Sequence, residues 1–101
     1  MKLIVVLGVE DNESSIHQFF VESNVKIFSK TPIQGMYIND NANIQQNWFA
    51  SNKQTIFSVC FFAFVSNEQA NQILVLTEEH NKKNVDLSLI HAYQLAVEKV
   101  A

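Results

Sequence analysis

The chain has 101 residues, 48% hydrophobic and 17% charged, a composition typical of one folded domain over residues 1–101 and not of a disordered segment. Seven basic residues stand against ten acidic ones, and this net charge of -3 argues against nucleic-acid binding. The single cysteine excludes an intramolecular disulfide, and no run reaches the ~18 apolar residues of a membrane span. We therefore expect a cytoplasmic protein that is not inserted in a membrane.

The first part of the chain predicts a strand, a helix and a second strand. Lys2 to Val9 is a near-continuous apolar run, as expected for a central strand. Asp11 or Asn12 can cap the helix that follows. Residues 25–38 predict a long second strand, in which Pro32 favours an edge position. Together these segments form a β-α-β unit.

The segment Thr55 to Val65, TIFSVCFFAFV, is apolar on both sides of a strand. Alternate residues of a strand point to opposite faces, which places Phe61 on one face and Phe62 and Phe64 on the other. Both faces of the sheet must then be covered, whereas two helices can cover only one. We expect another copy of the protein to cover the second face.

A polar, Asn-rich segment, residues 39–54, precedes this third strand, and a helix and a last strand follow it. Ser66 and Gln69 form a capping-box pattern at the start of a helix that runs to about Lys82. Residues 86–100 predict the fourth strand. The order β-α-β-β-α-β predicts an α+β fold of the ferredoxin-like type, a sandwich of two helices on an antiparallel four-stranded sheet.

Three short segments carry a family resemblance. They are the opening MKLIVV that runs into Glu10 and Asp11, the second strand that reaches Gly35 before a long loop, and residues 90–99, IHAYQLAVEK. These segments resemble the PII signalling superfamily of nitrogen-regulatory proteins and its small bacterial PII-like members. The resemblance implies a homotrimer with three sheets packed back to back, in agreement with the two-sided third strand. It also implies that residues 39–54 are the T-loop, with which PII proteins engage transporters, enzymes or regulators.

The segment after the second helix departs from that family. PII proteins bind ATP or ADP partly through a glycine-rich loop there, and residues 81–86, NKKNVD, contain no glycine. The sequence therefore does not predict the family's nucleotide site, and it identifies no cofactor. We still expect an effector cleft between subunits, lined by Gln34, Gly35, Met36, Lys82 and Lys83.

The polar segment contains the chain's one tryptophan, Trp48, next to Phe49. Tryptophan is prominent among binding hot spots, so this pair is the candidate partner-binding surface. The alternative is that both rings pack on the trimer itself, since exposed aromatic residues are common on protein surfaces.

No pattern of catalytic or metal-ligating residues stands out. His91 lies on the apolar face of the fourth strand and is the one weak candidate for a metal ligand, because a trimer can bring three copies of a residue to its axis. His17 and His80 have no partners at ligand spacing. Cys60 lies among phenylalanines, where we interpret it as a small hydrophobic residue and not a nucleophile.

These observations lead to three hypotheses. The first is a non-catalytic PII-like regulator, a homotrimer whose loop 39–54 engages a membrane transporter or a cytoplasmic enzyme in response to a small effector. The second is a metal-handling trimer resembling divalent-cation tolerance proteins or companions of metal-efflux pumps. The third is a small dimeric enzyme of the ferredoxin-like fold, since small members of this fold can use a lone His or Trp in a pocket between sheet and helices. A fold alone does not imply such chemistry.

Overall fold

The computed structural model of the chain describes residues 1–36, 55–85 and 88–101. Its elements follow the predicted order, with a short 3-10 turn between the first strand and the first helix. Their bounds are Lys2–Val9 (β1), Glu10–Asn12 (the 3-10 turn), Glu13–Glu22 (α1), Ser29–Met36 (β2), Thr55–Val65 (β3), Asn67–Lys83 (α2) and His91–Ala96 (β4). The α+β class and the β-α-β-β-α-β order are therefore confirmed.

The four strands form one antiparallel sheet in the order β2-β3-β1-β4. The long apolar strands β1 and β3 occupy the centre, where they pair from Lys2 opposite Val65 to Val9 opposite Ser58. The shorter strands β2 and β4 are the edges. Pro32 lies on β2, where a missing backbone N–H is tolerated at the free side of an edge strand.

Local sequence determines how α2 begins. Ser66 Oγ accepts a hydrogen bond from Gln69 N at 3.1 Å, and Gln69 Oε1 accepts one from Ser66 N at 2.9 Å. These two bonds satisfy backbone donors that a helix start would otherwise leave unpaired, and they confirm the predicted capping box.

The start of α1 differs from the expectation that an Asp11 or Asn12 side chain caps it. Asn12 occupies the capping position, but its side chain makes no capping hydrogen bond. It is buried, and its Nδ2 donates to the Ser88 carbonyl oxygen at 3.1 Å. The prediction of a side-chain cap was wrong because the 3-10 turn places this amide in a tertiary contact near the start of β4.

Both helices pack on one face of the sheet and form the hydrophobic core with it. Ile4 and Val6 of β1, Phe61 of β3 and Ile73 of α2 have no exposed surface. Phe20 of α1 stacks on Phe61 with ring centroids 5.7 Å apart. The core therefore lies between the helices and the two central strands.

The first edge strand, β2, is shorter than the predicted span of residues 25–38. The chain leaves α1 through Asn24, whose φ of 61° is left-handed, and Val25 then returns to the core. Ile27 is 85% exposed in the coil that follows, and strand pairing begins at Ser29. The turn after α1 thus uses the residues that were expected to begin the strand.

The second edge strand, β4, is also shorter than the predicted span of residues 86–100. It ends at Ala96 because β1, the strand it pairs with, begins at the opposite residue, Lys2. Before its start, the Asn81 side chain binds the backbone of Ile90, accepting from its N–H at 2.9 Å and donating to its carbonyl at 2.8 Å. The Asn81 side chain therefore makes the backbone hydrogen bonds at Ile90 that a paired strand would otherwise make.

Candidate functional site

The face of the sheet opposite the helices is the main candidate for an interaction surface, and we call it the open face. Phe64 is 60% exposed there, Leu95 48% and Tyr93 45%. Folded monomers rarely leave a continuous apolar patch of this kind exposed. The two-sided character predicted for the third strand is confirmed, because its helix-facing residues from Val59 to Val65 are buried while Phe62 and Phe64 on the other face are exposed.

Strand pairing aligns the side chains of the open face into three rows. The rows are Leu95–Leu3–Phe64, Tyr93–Val5–Phe62 and His91–Leu7–Cys60, each running from β4 through β1 to β3. Directly opposed side chains in a sheet lie ~4.5–5.5 Å apart and contact each other. Two rows are apolar except for the Tyr93 hydroxyl, and the third has a titratable side chain at each end.

His91 forms a pair with Tyr93 on the open face. Their rings are stacked, with centroids 6.3 Å apart, and the Tyr93 hydroxyl oxygen lies 3.4 Å from His91 Nδ1. His91 Nε2 is buried and has no hydrogen-bond partner among the described residues. Burial lowers the pKa of His91 below its ordinary value, so the ring is neutral at pH 7.

Cys60, at the other end of that row, is partly buried and free. Burial raises the pKa of its thiol above the ordinary value, which keeps it protonated at neutral pH. Within residues 1–36, 55–85 and 88–101, no three His, Cys, Asp or Glu side chains are grouped as a metal site requires. The hypothesis that His91 binds a metal ion where several copies of the chain meet stays a prediction.

The predicted effector residues at the start of the loop lie at one corner of the sheet. Gln34, Gly35 and Met36 end β2, where they pair with Phe57, Ile56 and Thr55 of β3. Gly35 is buried, whereas Gln34 and Met36 are exposed. The predicted partner-binding residues Trp48 and Phe49 fall outside the described residues.

The other predicted effector residues, Lys82 and Lys83, are exposed in the last turn of α2. Their positive charges complement the negative end of the helix dipole. The contact between Asn81 and Ile90 joins this end of the helix to the start of β4. The two lysines are therefore beside the β4 edge of the sheet.

The two sets of predicted effector residues do not meet within one subunit. Strands β2 and β4 are the outer strands of a four-stranded sheet, which separates them by roughly 14 Å at ~4.8 Å per strand. The register places the end of β2 and the start of β4 at the same end of the sheet. A cleft that contains both sets requires two subunits.

A cleft of about 400 Å³ that the sequence did not predict lies beside β2 on the helix side. Its lining residues are Glu10, Glu13, Lys30, Pro32, Phe57, Ser58 and Val59. Lys30 Nζ lies 3.1 Å from Glu13 Oε2, and because both side chains are about half exposed, this ion pair contributes at most about 1 kcal/mol. Sequence reasoning missed the cleft because it assigned Glu10 to the helix start and had no signal that β2 packs beside α1.

Comparison with known proteins places this geometry in a fold family. No protein-family model and no curated protein matches the chain. A DUF3240 family protein from Shewanella baltica is similar in structure, with a TM-score of 0.65 and 15% identity over 99% of this chain and 92% of that chain. A protein from Thermus thermophilus, described as PII-like and signalling, gives a TM-score of 0.59 and 17% identity over 92% of this chain and 82% of that chain. The chain has the PII-like fold.

The PII-like fold confirms, at the level of architecture, the family resemblance seen in the three sequence segments. Structural similarity at 15% and 17% sequence identity shows a shared fold but does not show a shared function. Among the described residues, no helix combines the length and the apolar content that crossing a membrane requires.

Proposed function

We propose that the chain is a non-catalytic PII-like regulatory protein that works as a homotrimer. The apolar open face is the observation that carries this proposal, because its rows of aromatic and aliphatic side chains have no cover among the described residues. Three sheets packed back to back around an axis bury these rows against each other. The similarity to a structure described as PII-like and signalling supports the regulatory role.

The proposed trimer also forms the predicted effector cleft. A closed ring of identical subunits uses head-to-tail contacts. Because β2 and β4 are the two edges of the sheet, we propose that the β4 edge of each subunit meets the β2 edge of the next. Lys82 and Lys83 of one subunit then approach Gln34, Gly35 and Met36 of its neighbour, because both sets lie at the same end of the sheet. Two exposed lysines favour a small anionic effector.

We propose that binding in this cleft changes the conformation of loop 39–54, because residue 39 follows Met36 closely in the sequence. An effector that binds one loop conformation better than the other shifts the population toward that conformation. Trp48 and Phe49 would then be presented to a partner, a membrane transporter or a cytoplasmic enzyme, or withdrawn from it. This role of the loop rests on its sequence and on the PII-like fold.

The fluorescence of Trp48 tests the proposal directly, since it is the chain's only tryptophan and lies within the loop. The purified protein is titrated with ATP, ADP, cyclic nucleotides and divalent metal ions, and native mass spectrometry counts the bound ligands. We expect one anionic ligand to bind once per subunit of a trimer and to shift the Trp48 emission. A Lys82→Ala, Lys83→Ala variant should bind that ligand about tenfold more weakly or worse.

A Lys26→Ala variant is the matched control, because Lys26 is also exposed but lies in the coil before β2. It should bind the ligand as the unmodified protein does. Equal weakening in both variants would contradict the proposed cleft. Stoichiometric metal binding without any nucleotide binding would instead favour the metal-handling hypothesis.

A further inference from the structure

His91 is the one basic side chain in the rows of the open face, and its position has a consequence for assembly. In the rows across β4, β1 and β3 it is aligned with Leu7 and Cys60, and its ring stacks on Tyr93. A second copy that covers the open face also covers this ring. The inference below rests on the proposed assembly through the open face.

The hydrogen bonds available to His91 suit a neutral ring and not a charged one. A neutral imidazole has one donor and one acceptor nitrogen, and a protonated imidazole has two donors. Nδ1 has the Tyr93 hydroxyl at 3.4 Å, whereas Nε2 is buried with no partner among the described residues. Protonation would therefore leave an N–H of a charged ring buried without an acceptor, which is costly.

Among residues 1–36, 55–85 and 88–101, the groups that face His91 do not supply the missing counter-charge on the open face. Leu7 lies opposite it on β1 and is apolar, and Cys60 on β3 carries a protonated thiol. On the α2 side, a cleft of about 230 Å³ adjoins His91, and Glu78 is the one charged residue among its described lining residues. Glu78 is exposed, so solvent screens its carboxylate. The lowered pKa of His91 shows that burial outweighs this carboxylate.

We infer that His91 is a pH-sensitive latch on assembly, so that copies of the chain pair through the open face only while its imidazole is neutral. In a free subunit the buried Nε2 belongs to a residue that is only partly covered, so a change of side-chain rotamer can bring this nitrogen to water, where it accepts a proton. In the assembly the neighbouring copy covers the ring, and a proton there has no solvent and no acceptor. Dissociation is therefore linked to proton uptake, and acid favours the free subunits.

The direction and size of the effect follow from this linkage. The free subunit binds more protons than the assembly, so assembly weakens as the pH falls below the pKa of His91 in the free subunit. Histidine ordinarily titrates near 6.5, and burial lowers that value for His91. Between pH 7.5 and pH 5.0 we expect the association constant to fall on the order of tenfold for each subunit in the assembly.

Analytical ultracentrifugation of the full chain at pH 7.5 and pH 5.0 tests the latch, with circular dichroism at both values to verify the fold. A His91→Gln variant, which keeps a neutral polar side chain, should assemble at both pH values with little difference. His80→Gln is the matched control, because His80 Nε2 is also buried without a partner among the described residues, but its ring packs on Phe19 between the helices. This variant should keep the pH dependence of the unmodified protein.

The possible results separate the latch from the proposed function. A chain that stays monomeric at pH 7.5 would overturn both. An assembly of equal strength at both pH values, or an unchanged pH dependence in His91→Gln, would overturn the latch alone and leave the assembly standing.

An NMR titration tests the same claim if His91→Gln does not fold. It compares the pKa of His91 in the assembled protein and in the Phe62→Asp variant, which we expect to be monomeric. A lower pKa in the assembly supports the latch, and equal pKa values contradict it.

Discussion

The two faces of the sheet are both apolar, but within the part of the chain that the structure describes only one of them is covered. Phe61, on the helix side of β3, has no exposed surface, whereas its neighbours Phe62 and Phe64 on the open face are 36% and 60% exposed. Side chains of β3 are thus buried in the hydrophobic core on the helix side and remain partly exposed on the open face. The apolar composition of this strand predicts that both faces are buried, and the position of the helices shows which face they leave uncovered.

The difference has an energetic consequence. An aromatic side chain buries roughly 150–250 Å² when it is fully covered, so Phe64 alone leaves on the order of 120 Å² for a partner to cover. At about 25 cal/mol per Å², covering that area contributes about 3 kcal/mol. In the proposed assembly, core residues therefore set the stability of the subunit, and residues of the open face set the strength of the contact between subunits.

The largest expected effect is on the covered face. Replacing Phe61 by Ala removes a buried ring that stacks on Phe20, and we expect it to lower the free energy of unfolding by about 3–5 kcal/mol. Urea unfolding followed by circular dichroism measures this loss. Phe64→Ala is the matched variant on the open face, and it should weaken assembly while leaving the folded subunit intact. Equal losses of subunit stability in both variants would remove the distinction between the faces.

A charge on the open face should abolish assembly without unfolding the subunit. Phe62→Asp places a carboxylate in the middle one of the three rows, opposite the apolar Val5 and not opposite a cation. We expect assembly to weaken by about 3 kcal/mol or more. Sedimentation velocity measures the change. Val75→Asp is the control, because Val75 is 47% exposed on α2 and away from the open face. An assembled Phe62→Asp protein would mean that the open face is not the interface.

The link between α2 and β4 should give a smaller effect. Asn81→Ala removes both hydrogen bonds to the Ile90 backbone, and we expect the free energy of unfolding to fall by about 1–3 kcal/mol. Hydrogen exchange should report a preferential loss of protection in residues 90–96. Asn71→Ala, an exposed position on the same helix, is the control and should change little. Unchanged protection in Asn81→Ala would show that these bonds do not hold the edge strand.

The smallest expected effect is the pH dependence that His80, on the covered face, gives to the free energy of unfolding. Burial lowers the pKa of His80, so the unfolded chain binds more protons than the folded one as the pH falls through about 6.5. The free energy of unfolding should therefore decrease on acidification from pH 7.5 to pH 5.5. Urea unfolding of the Phe62→Asp variant, which we expect to be monomeric, measures this pH dependence without a contribution from assembly. His80→Gln should show a smaller decrease, and an identical decrease would contradict the assignment.

The sequence predicted the central elements well because their signals are local. β1 and β3 have the bounds that their apolar runs indicated, and the Ser66 capping box begins α2. The edge strands were predicted too long, because their ends depend on contacts between distant residues. Ala96 ends β4 since β1 offers no further partner, and Asn81 replaces the strand partner at Ile90.

The candidate site was predicted less completely for the same reason. The two-sided third strand indicated an open face, and it placed Phe62 and Phe64 on it correctly. The row of His91, Leu7 and Cys60 needed the register of three strands, which no local pattern contains. The effector cleft between subunits stays a prediction, with its lining by Gln34, Gly35, Met36, Lys82 and Lys83.

The mass of the assembly in solution tests the central claim most directly. Native mass spectrometry or sedimentation equilibrium of the unmodified chain at pH 7.5, over micromolar concentrations, distinguishes the possible states. A species of three times the 11.5 kDa of one chain is the result we predict, because three open faces then cover one another. A monomer at all concentrations, or a dimer, would contradict the three-fold arrangement on which the proposed effector cleft depends.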